Sequence, residues 1–331
     1  MSFVFERELP SAEHLKQLLP VSESVAAMRE RRVALMKKVI SGEYDRLMLI
    51  IGPCSADNEE AVLDYIQRLA KVQEKVEDKI FIVPRVYTNK PRTTGEGYKG
   101  MMHQPDPNQK PNAFEGIKAI RHMHLRVMEE TGLVAADEML YPDNYAFLDD
   151  VLGYVAIGAR SVENQQHRLT CSGLDIPVGM KNGTGGDVDM MFNAIRAAQA
   201  SHDFIYREWE VATSGNPYAH AVLRGGVDSK GRIIPNYHFE DLEWIAAQYQ
   251  EKGLKNPAII VDTNHSNSGK KYEQQPRIAS EVMHSMKYDP LLHKMIKGFM
   301  IESYIENGAQ KIDDHQIYGK SITDPCLGWR E

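Results

Sequence analysis

The chain has 331 residues, of which 42% are hydrophobic and 26% are charged, and its formal net charge is -7. This composition is typical of a globular protein, and the acidic balance argues against general affinity for nucleic acid, whose phosphates select basic surfaces. The sequence holds no apolar run near the roughly 18 residues of a membrane span, and MSFVFERELP lacks the pattern of a secretory signal. Three cysteines without disulfide spacing fit a reducing compartment, so we expect a cytoplasmic protein with no membrane or nucleic-acid partner.

The first predicted element is an amphipathic helix over residues 22–42. Ser22 can cap its first turn, apolar residues recur at steps of three and four, and Gly42 is a helix stop. This helix precedes the first strand-like run. We therefore expect residues 1–45 to be an N-terminal extension with an interface or regulatory role, and residues 46–331 to be a catalytic barrel.

From residue 46 onward, short apolar runs alternate with helical patterns. Buried parallel strands have this run length, and eight strand-helix units in sequence favour an α/β protein with a (β/α)8 TIM barrel. The alternating apolar and polar residues of HDFIYREWEVATSGN, residues 202–216, predict a β-hairpin inserted before the sixth strand. The eight predicted strands lie in LMLIIGPCS, IFIVPRVY, LVAADEML, YVAIGAR, IPVGMKNG, HAVLRGG, AIIVDTNHS and GFMIESY.

Each of the eight runs ends in a residue that a barrel core would not choose. Catalytic groups of such barrels gather at the carboxyl ends of the strands, so one fold assignment brings all eight to one mouth. Singly, each has a structural alternative, such as a buried thiol, a hydrogen-bonded histidine or an ion-paired arginine. The eight residues are Cys54, Arg85, Glu138, Arg160, Lys181, Arg224, His265 and Glu302.

Four of the candidate residues could bind a metal. Cys54, His265 and Glu302, together with Asp324 in the loop KSITDP, offer one sulfur, one nitrogen and two carboxylates. This mixed set suits a divalent transition ion such as manganese, iron, cobalt or zinc. The metal would act as a Lewis acid on a substrate.

The remaining cations predict two anion sites. Arg85, Arg160, Lys181 and Arg224 point to one mouth, and such a concentration of like charge requires an anionic ligand. In NKPRTT, residues 89–94, Arg92 and Thr93 can hold a second phosphate while Lys90 faces the rest of that ligand. Two phosphorylated substrates beside one metal are therefore expected.

These residues stand in strings that resemble the type I 3-deoxy-D-arabino-heptulosonate 7-phosphate (DAHP) synthase family, the class I DAHP synthetases. The resemblance extends over nearly the whole chain from residue 46, in the family's order. It implies a metal-dependent condensation of phosphoenolpyruvate with erythrose 4-phosphate, the first step of the shikimate pathway. The strings include IIGPCS, RVYTNKPRTT, AIGARSVENQQHR, PVGMKNGTGG, LRGG, DTNHSNSGK, ESYIENG and YGKSITDPCLGW.

The resemblance also implies roles for individual residues. The positions of the family's metal ligands are occupied by Cys54, His265, Glu302 and Asp324. Phosphoenolpyruvate would be held at its phosphate by Arg160, Arg224 and the amide of Ala159, and at its carboxylate by Arg85 and Lys181. Erythrose 4-phosphate would be held by Lys90, Pro91, Arg92 and Thr93, with Glu138 near the reacting centre.

The sequence leaves three other functions to consider, together with the oligomeric state and the identity of any inhibitor. A 3-deoxy-manno-octulosonate 8-phosphate synthase would use a five-carbon sugar phosphate, but it lacks the KPRTT string. A metal-dependent aldolase that does not use phosphoenolpyruvate would not need four further cations, and a non-catalytic metabolite-sensing barrel would be expected to lose a ligand. We expect a homodimer or homotetramer. Whether phenylalanine, tyrosine or tryptophan inhibits, if any does, is not decided by the sequence.

Overall fold

The computed structural model describes residues 2–92, 95–313 and 315–331. The strands are β1 Leu47–Gly52, β2 Ile80–Pro84, β3 Ala136–Glu138, β4 Tyr154–Ile157, β5 Val178–Lys181, β6 Asp203–Tyr206, β7 Trp209–Ala212, β8 Ala219–Leu223, β9 Gly226–Val227, β10 Ile233–Ile234, β11 Ile259–Asp262 and β12 Ile296–Glu302. The α-helices are α1 Ala12–Leu18, α2 Glu23–Ser41, α3 Glu59–Val76, α4 Ala113–Thr131, α5 Gln165–Ser172, α6 Val188–Gln199, α7 Phe239–Glu251, α8 His265–Ser268, α9 Gln275–Tyr288 and α10 Pro290–Met295.

Eight strands form one parallel sheet in the order β2-β1-β12-β11-β8-β5-β4-β3. The two outer strands meet at a bridge between Arg85 and Ala136, where the N–H of Val86 donates to the carbonyl of Ala136 over 2.9 Å, so the sheet is nearly closed. The strands β4, β5, β8 and β11 are buried along their whole length, as expected for parallel strands covered on both faces. The predicted (β/α)8 barrel is confirmed, and each of the eight predicted runs contains a barrel strand.

The inserted hairpin is also confirmed. Strands β6 and β7 pair antiparallel, and Tyr206 lies opposite Trp209. The two residues between them, Arg207 and Glu208, have φ values of 49° and 68°, the left-handed conformation of a tight two-residue hairpin turn. A second, smaller antiparallel pair, β9 with β10, follows the sixth barrel strand.

The predicted helix of the N-terminal extension is α2. The hydroxyl of Ser22 accepts the N–H of Val25, and Gly42 ends the helix at a φ of 83°. Arg29 donates to the carbonyl of Leu152 over 2.8 Å, just before β4. The helix therefore packs against the amino ends of the strands, opposite the predicted mouth. The interface or regulatory role of residues 1–45 stays a prediction.

None of the described helices has both the length and the apolar character that a membrane crossing requires. The cytoplasmic location stays a prediction. So does the homodimer or homotetramer, for which the exposed Phe3, Phe5 and Trp209 offer apolar surface that a second copy could cover.

A buried histidine lies within the sheet. His220 on β8 is fully buried, and its Nδ1 donates to the carbonyl of Tyr218 over 2.9 Å. Its Nε2 accepts the hydroxyl of Tyr154, also over 2.9 Å. Residue 179 lies on β5, between the strands that carry Tyr154 and His220. It must be glycine, because a Cβ there would lie 2.1 Å from the Tyr154 hydroxyl. Burial lowers the pKa of His220 to about 4, so the imidazole is neutral in the folded protein at pH 7.

This depressed pKa predicts an acid-dependent loss of stability. Below its ordinary pKa of 6.5, His220 binds a proton in the unfolded chain but stays neutral in the folded protein. Its contribution to the free energy of unfolding is therefore complete above pH 6.5 and falls as the pH drops toward 4. Urea unfolding of the unmutated protein and of His220→Phe, each measured at pH 7 and at pH 4, tests this. The stability advantage of the unmutated protein should shrink by about 3 kcal/mol between pH 7 and pH 4. An advantage that does not change with pH would contradict the prediction.

Candidate active site

The predicted polar residues meet at the carboxyl ends of the barrel strands. Each of the eight lies at the end of its strand or within three residues after it. The backbone leaves room for them: a Cβ at Gly158 would lie 2.2 Å from a carboxylate oxygen of Glu138. One cavity opens among these strand ends and the loops around them. Its walls include Arg85, Lys90, Pro91, Arg92, Glu138, Gly158, Ala159, Arg160, Lys181, Thr184, Arg224, His265, Lys270 and Asp324.

Three of the four predicted metal ligands form a cluster. The ligand atoms of Cys54, Glu302 and Asp324 all lie within 4.8 Å of one another. Asp324 reaches the cluster from the C-terminal loop, which is tied to the loop after β1 by a 2.8 Å hydrogen bond between the hydroxyls of Ser55 and Thr323. One sulfur and two carboxylates at this spacing fit a divalent transition ion.

The fourth predicted ligand, His265, stands beside this cluster. Its Nδ1 lies 2.8 Å from Asp262, and its Nε2 lies 3.8 Å from Oε1 of Glu302. A carboxylate at one ring nitrogen is the usual support for a histidine that binds metal through the other. Burial lowers the pKa of His265, which favours the neutral imidazole that a metal requires.

Two of the four predicted cations are already paired with carboxylates. Arg85 is 1% exposed and donates to Oε1 of Glu302 over 2.7 Å. Lys181 donates to Asp262 over 2.9 Å. Burial alone would raise the pKa of Glu302, but the charge of Arg85 offsets this and the pKa is lowered. The expectation of four cations that all require an external anion is therefore too simple.

The other two cations remain available to a ligand. Arg160 is exposed and Arg224 is half-buried, and neither guanidinium pairs with a carboxylate within the part of the chain that the structure describes. Burial lowers the pKa of Arg224, while the charge of Asp262 opposes that change. Both arginines and Ala159 line the cavity. Guanidinium groups are suited to bidentate contact with a phosphate or carboxylate.

The loop after β2 supplies another part of the cavity lining. Lys90, Pro91 and Arg92 line the cavity, while Thr93 lies outside the described residues. The ammonium of Lys90 is buried and donates to the sulfur of Cys54 over 3.0 Å. A cation on this loop thus lies next to the metal-type cluster.

Sequence reasoning missed three residues of this site. Asp262 faces both Lys181 and His265, Asn264 donates to Oε2 of Glu302 over 2.6 Å, and Lys270 pairs with Asp324 over 2.9 Å. All three stand in the string DTNHSNSGK, and Asp262 is the last residue of an apolar strand. A charged residue at the end of an apolar strand is the sequence signal that could have identified Asp262.

The buried pair predicts unequal costs for two carboxylate substitutions. Glu302→Gln leaves the buried Arg85 without its counter-charge and should lower the free energy of unfolding by roughly 3 kcal/mol. Asp324→Asn is the matched control, because its partner Lys270 is 57% exposed, and it should cost less than about 1 kcal/mol. Urea unfolding without added metal measures both. Equal losses would contradict the assignment of Arg85 and Glu302 as the structural pair.

Comparison with known proteins agrees with this geometry. The sequence model of the DAHP synthetase I family matches residues 20–331. The chain is 36% identical to a phospho-2-dehydro-3-deoxyheptonate aldolase, Tyr-sensitive, of Salmonella typhimurium, over 98% of this chain and 90% of that protein. It is 38% identical to a Trp-sensitive phospho-2-dehydro-3-deoxyheptonate aldolase of Enterobacter agglomerans, over 97% of this chain and 89% of that protein.

A solved structure shares the fold. The phospho-2-dehydro-3-deoxyheptonate aldolase of Francisella tularensis matches with a TM-score of 0.91 and 30% sequence identity, covering 99% of this chain and 95% of that one. The match by sequence extends through the residues that form the mouth of the barrel. The chain belongs to the DAHP synthetase I family.

Proposed function

We propose that this protein condenses phosphoenolpyruvate with erythrose 4-phosphate and water to give DAHP and inorganic phosphate. One observation carries the proposal: a single mouth contains a Cys–Glu–Asp cluster, Lys90 to Arg92, and two arginines that pair with no carboxylate among the described residues. The relatives named phospho-2-dehydro-3-deoxyheptonate aldolase support it. The reaction requires two phosphorylated ligands, and the mouth offers cations on two sides.

Phosphoenolpyruvate would occupy the side formed by the later strands. Arg160, Arg224 and the amide of Ala159 would hold its phosphate. Lys181 and Arg85 would hold its carboxylate with charge that they share with Asp262 and Glu302. These contacts would fix the enol so that carbon 3 faces the second substrate.

Erythrose 4-phosphate would lie against Lys90, Pro91, Arg92 and Thr93. In the reaction, carbon 3 of phosphoenolpyruvate bonds to the aldehyde carbon, water adds to carbon 2, and the bond from carbon 2 to the phosphate oxygen breaks. Lys90 would give its proton to the aldehyde oxygen as that oxygen becomes a hydroxyl, and a proton from the water would restore it. Glu138 lines the same cavity and would lie near the reacting atoms.

The metal of this reaction would be held by Cys54, His265, Glu302 and Asp324. The chemistry that it supplies when bound is polarisation of the aldehyde carbonyl. Manganese, iron, cobalt and zinc are all compatible with the donor set. Two observations support this metal site: the three clustered ligand atoms, and the imidazole of His265 held by Asp262.

The assay that tests the function follows phosphoenolpyruvate consumption after chelator treatment. Consumption should require added manganese and erythrose 4-phosphate, and should not occur with arabinose 5-phosphate. Cys54→Ala should lower turnover at least about 100-fold because a metal ligand is lost. Cys171→Ala, which removes a fully buried thiol on α5 away from the mouth, is the matched control and should retain turnover. Turnover with the five-carbon sugar would instead assign an octulosonate synthase, and none with either sugar would favour a metabolite sensor.

We further propose that an aromatic amino acid inhibits the enzyme by binding beside the β6–β7 hairpin. A cavity of about 360 Å³ lies there, lined by the aromatic side chains of Tyr145, Phe204 and Tyr206. Asp149 and Arg207 line the same cavity. Asp149 pairs with Lys16 over 2.5 Å and Arg207 lies 3.8 Å from Glu13, so the ammonium and carboxylate of a free amino acid would exchange with or share these partners. The relatives named Tyr-sensitive and Trp-sensitive support this form of regulation.

The inhibition assay compares phenylalanine, tyrosine and tryptophan on the unmutated protein and on Arg207→Gln. The half-inhibitory concentration of the active amino acid should rise at least about tenfold, because a charge-assisted hydrogen bond is lost, while uninhibited turnover stays unchanged. Arg232→Gln, an exposed arginine near the other small strand pair, is the control. Unchanged inhibition in Arg207→Gln would reject this site, and no inhibition by any of the three would reject the regulation.

A further inference from the structure

A buried carboxylate lies directly beneath the wall that carries Lys90. Asp137, on β3, is 2% exposed and precedes Glu138 of the active-site cavity. Its Oδ1 accepts the backbone N–H of Glu138 over 2.7 Å and that of Thr88 over 2.9 Å. Its Oδ2 accepts the hydroxyl of Thr88 over 2.5 Å. One carboxylate therefore fixes the end of β3 and the start of the loop after β2.

Thr88 connects this carboxylate to the proposed substrate site. It is fully buried and lies two residues before Lys90. Its carbonyl accepts the N–H of Met102 over 3.2 Å, and the N–H of Lys90 donates to the carbonyl of Lys99 over 3.1 Å. The backbone that leads to Lys90 is thus anchored at one side by the returning chain and at the other by Asp137.

A histidine from a helix completes the arrangement. His124, on α4, is fully buried, and its Nε2 lies 3.2 Å from Oδ2 of Asp137. Its Nδ1 has no hydrogen-bond partner within the described part of the chain. The imidazole therefore makes its polar contact with Asp137, and a buried carboxylate requires such donors to offset its desolvation.

We propose that Asp137 and His124 are positioning residues for Lys90 and Glu138. His124 holds the carboxylate of Asp137 from the helix side, and Asp137 holds Thr88 and the peptide of Glu138 from the strand side. The pair would set where the ammonium of Lys90 meets the sugar phosphate and the metal-type cluster. This inference rests on the proposed condensation for its catalytic consequence, but the tie between α4, β3 and the loop is a property of the protein itself.

The experiment uses His124→Phe, which removes the donor at similar volume, and Asp137→Asn, which removes the charge and retains an acceptor. His220→Phe is the matched control, because it deletes another fully buried histidine in a different part of the barrel. Two readouts are taken on the full-length protein. Hydrogen exchange is followed over residues 86–92, and kcat and KM are measured for each substrate with manganese present.

Both variants should exchange the amide of Thr88 at least about tenfold faster. Asp137→Asn removes the charge from the acceptor of that amide, and His124→Phe removes the contact that holds the acceptor in place from the helix side. They should also raise the KM for erythrose 4-phosphate or lower kcat by about tenfold, with the KM for phosphoenolpyruvate unchanged. The His220→Phe control should change neither, whatever its melting temperature. Asp137→Asn guards against misfolding of His124→Phe, because its amide oxygen can still accept the N–H groups of Thr88 and Glu138. Its NH2 group can no longer accept the Thr88 hydroxyl or the His124 ring.

Unchanged exchange over residues 86–92 in both variants would overturn the inference. So would equal increases in the KM of both substrates, because a general structural defect would act on both sites. If the unmutated protein consumes no phosphoenolpyruvate with erythrose 4-phosphate, the proposed reaction fails. The exchange measurement alone then decides whether the pair holds the loop.

Discussion

The buried guanidinium of Arg85 joins the parts of the mouth on which the candidate site depends. It donates to Glu302 at the end of β12 and to the carbonyls of Pro53 and Cys54 after β1. Its guanidinium also lies over the ring of Tyr87, 3.5 Å from the centroid. One cation thus fixes the backbone of one proposed ligand and the side chain of another.

The charged residues at the mouth are paired deep in the barrel and less paired near its opening. Deep in the barrel, Arg85 faces Glu302 and Lys181 faces Asp262, so these ions carry little net charge together. Nearer the opening, Arg160, Arg224 and Arg92 leave positive charge in a protein whose net charge is -7. Attraction for small phosphates therefore depends on a local excess of cations rather than on the charge of the whole protein.

Much of this arrangement could be predicted from the sequence. Parallel strands buried on both faces appear as apolar runs, and a polar residue such as Cys54 or Glu302 at the end of a run marks the mouth. It was harder to predict which side chains pair with one another across the barrel. The pairing of Asp262 with Lys181 and His265, and that of His124 with Asp137, depend on how distant elements approach one another. No local periodicity encodes those approaches, and an aspartate at a strand end is also a common helix cap.

Anomalous diffraction from crystals grown with manganese and phosphoenolpyruvate tests the proposed metal and substrate sites most directly. We expect a manganese peak bound by Cys54, His265, Glu302 and Asp324, with the phosphate of phosphoenolpyruvate on Arg160 and Arg224. A manganese ion bound elsewhere, or one bound at the cluster without His265, would contradict the proposed metal site. Phosphate density away from both arginines would contradict the proposed substrate site.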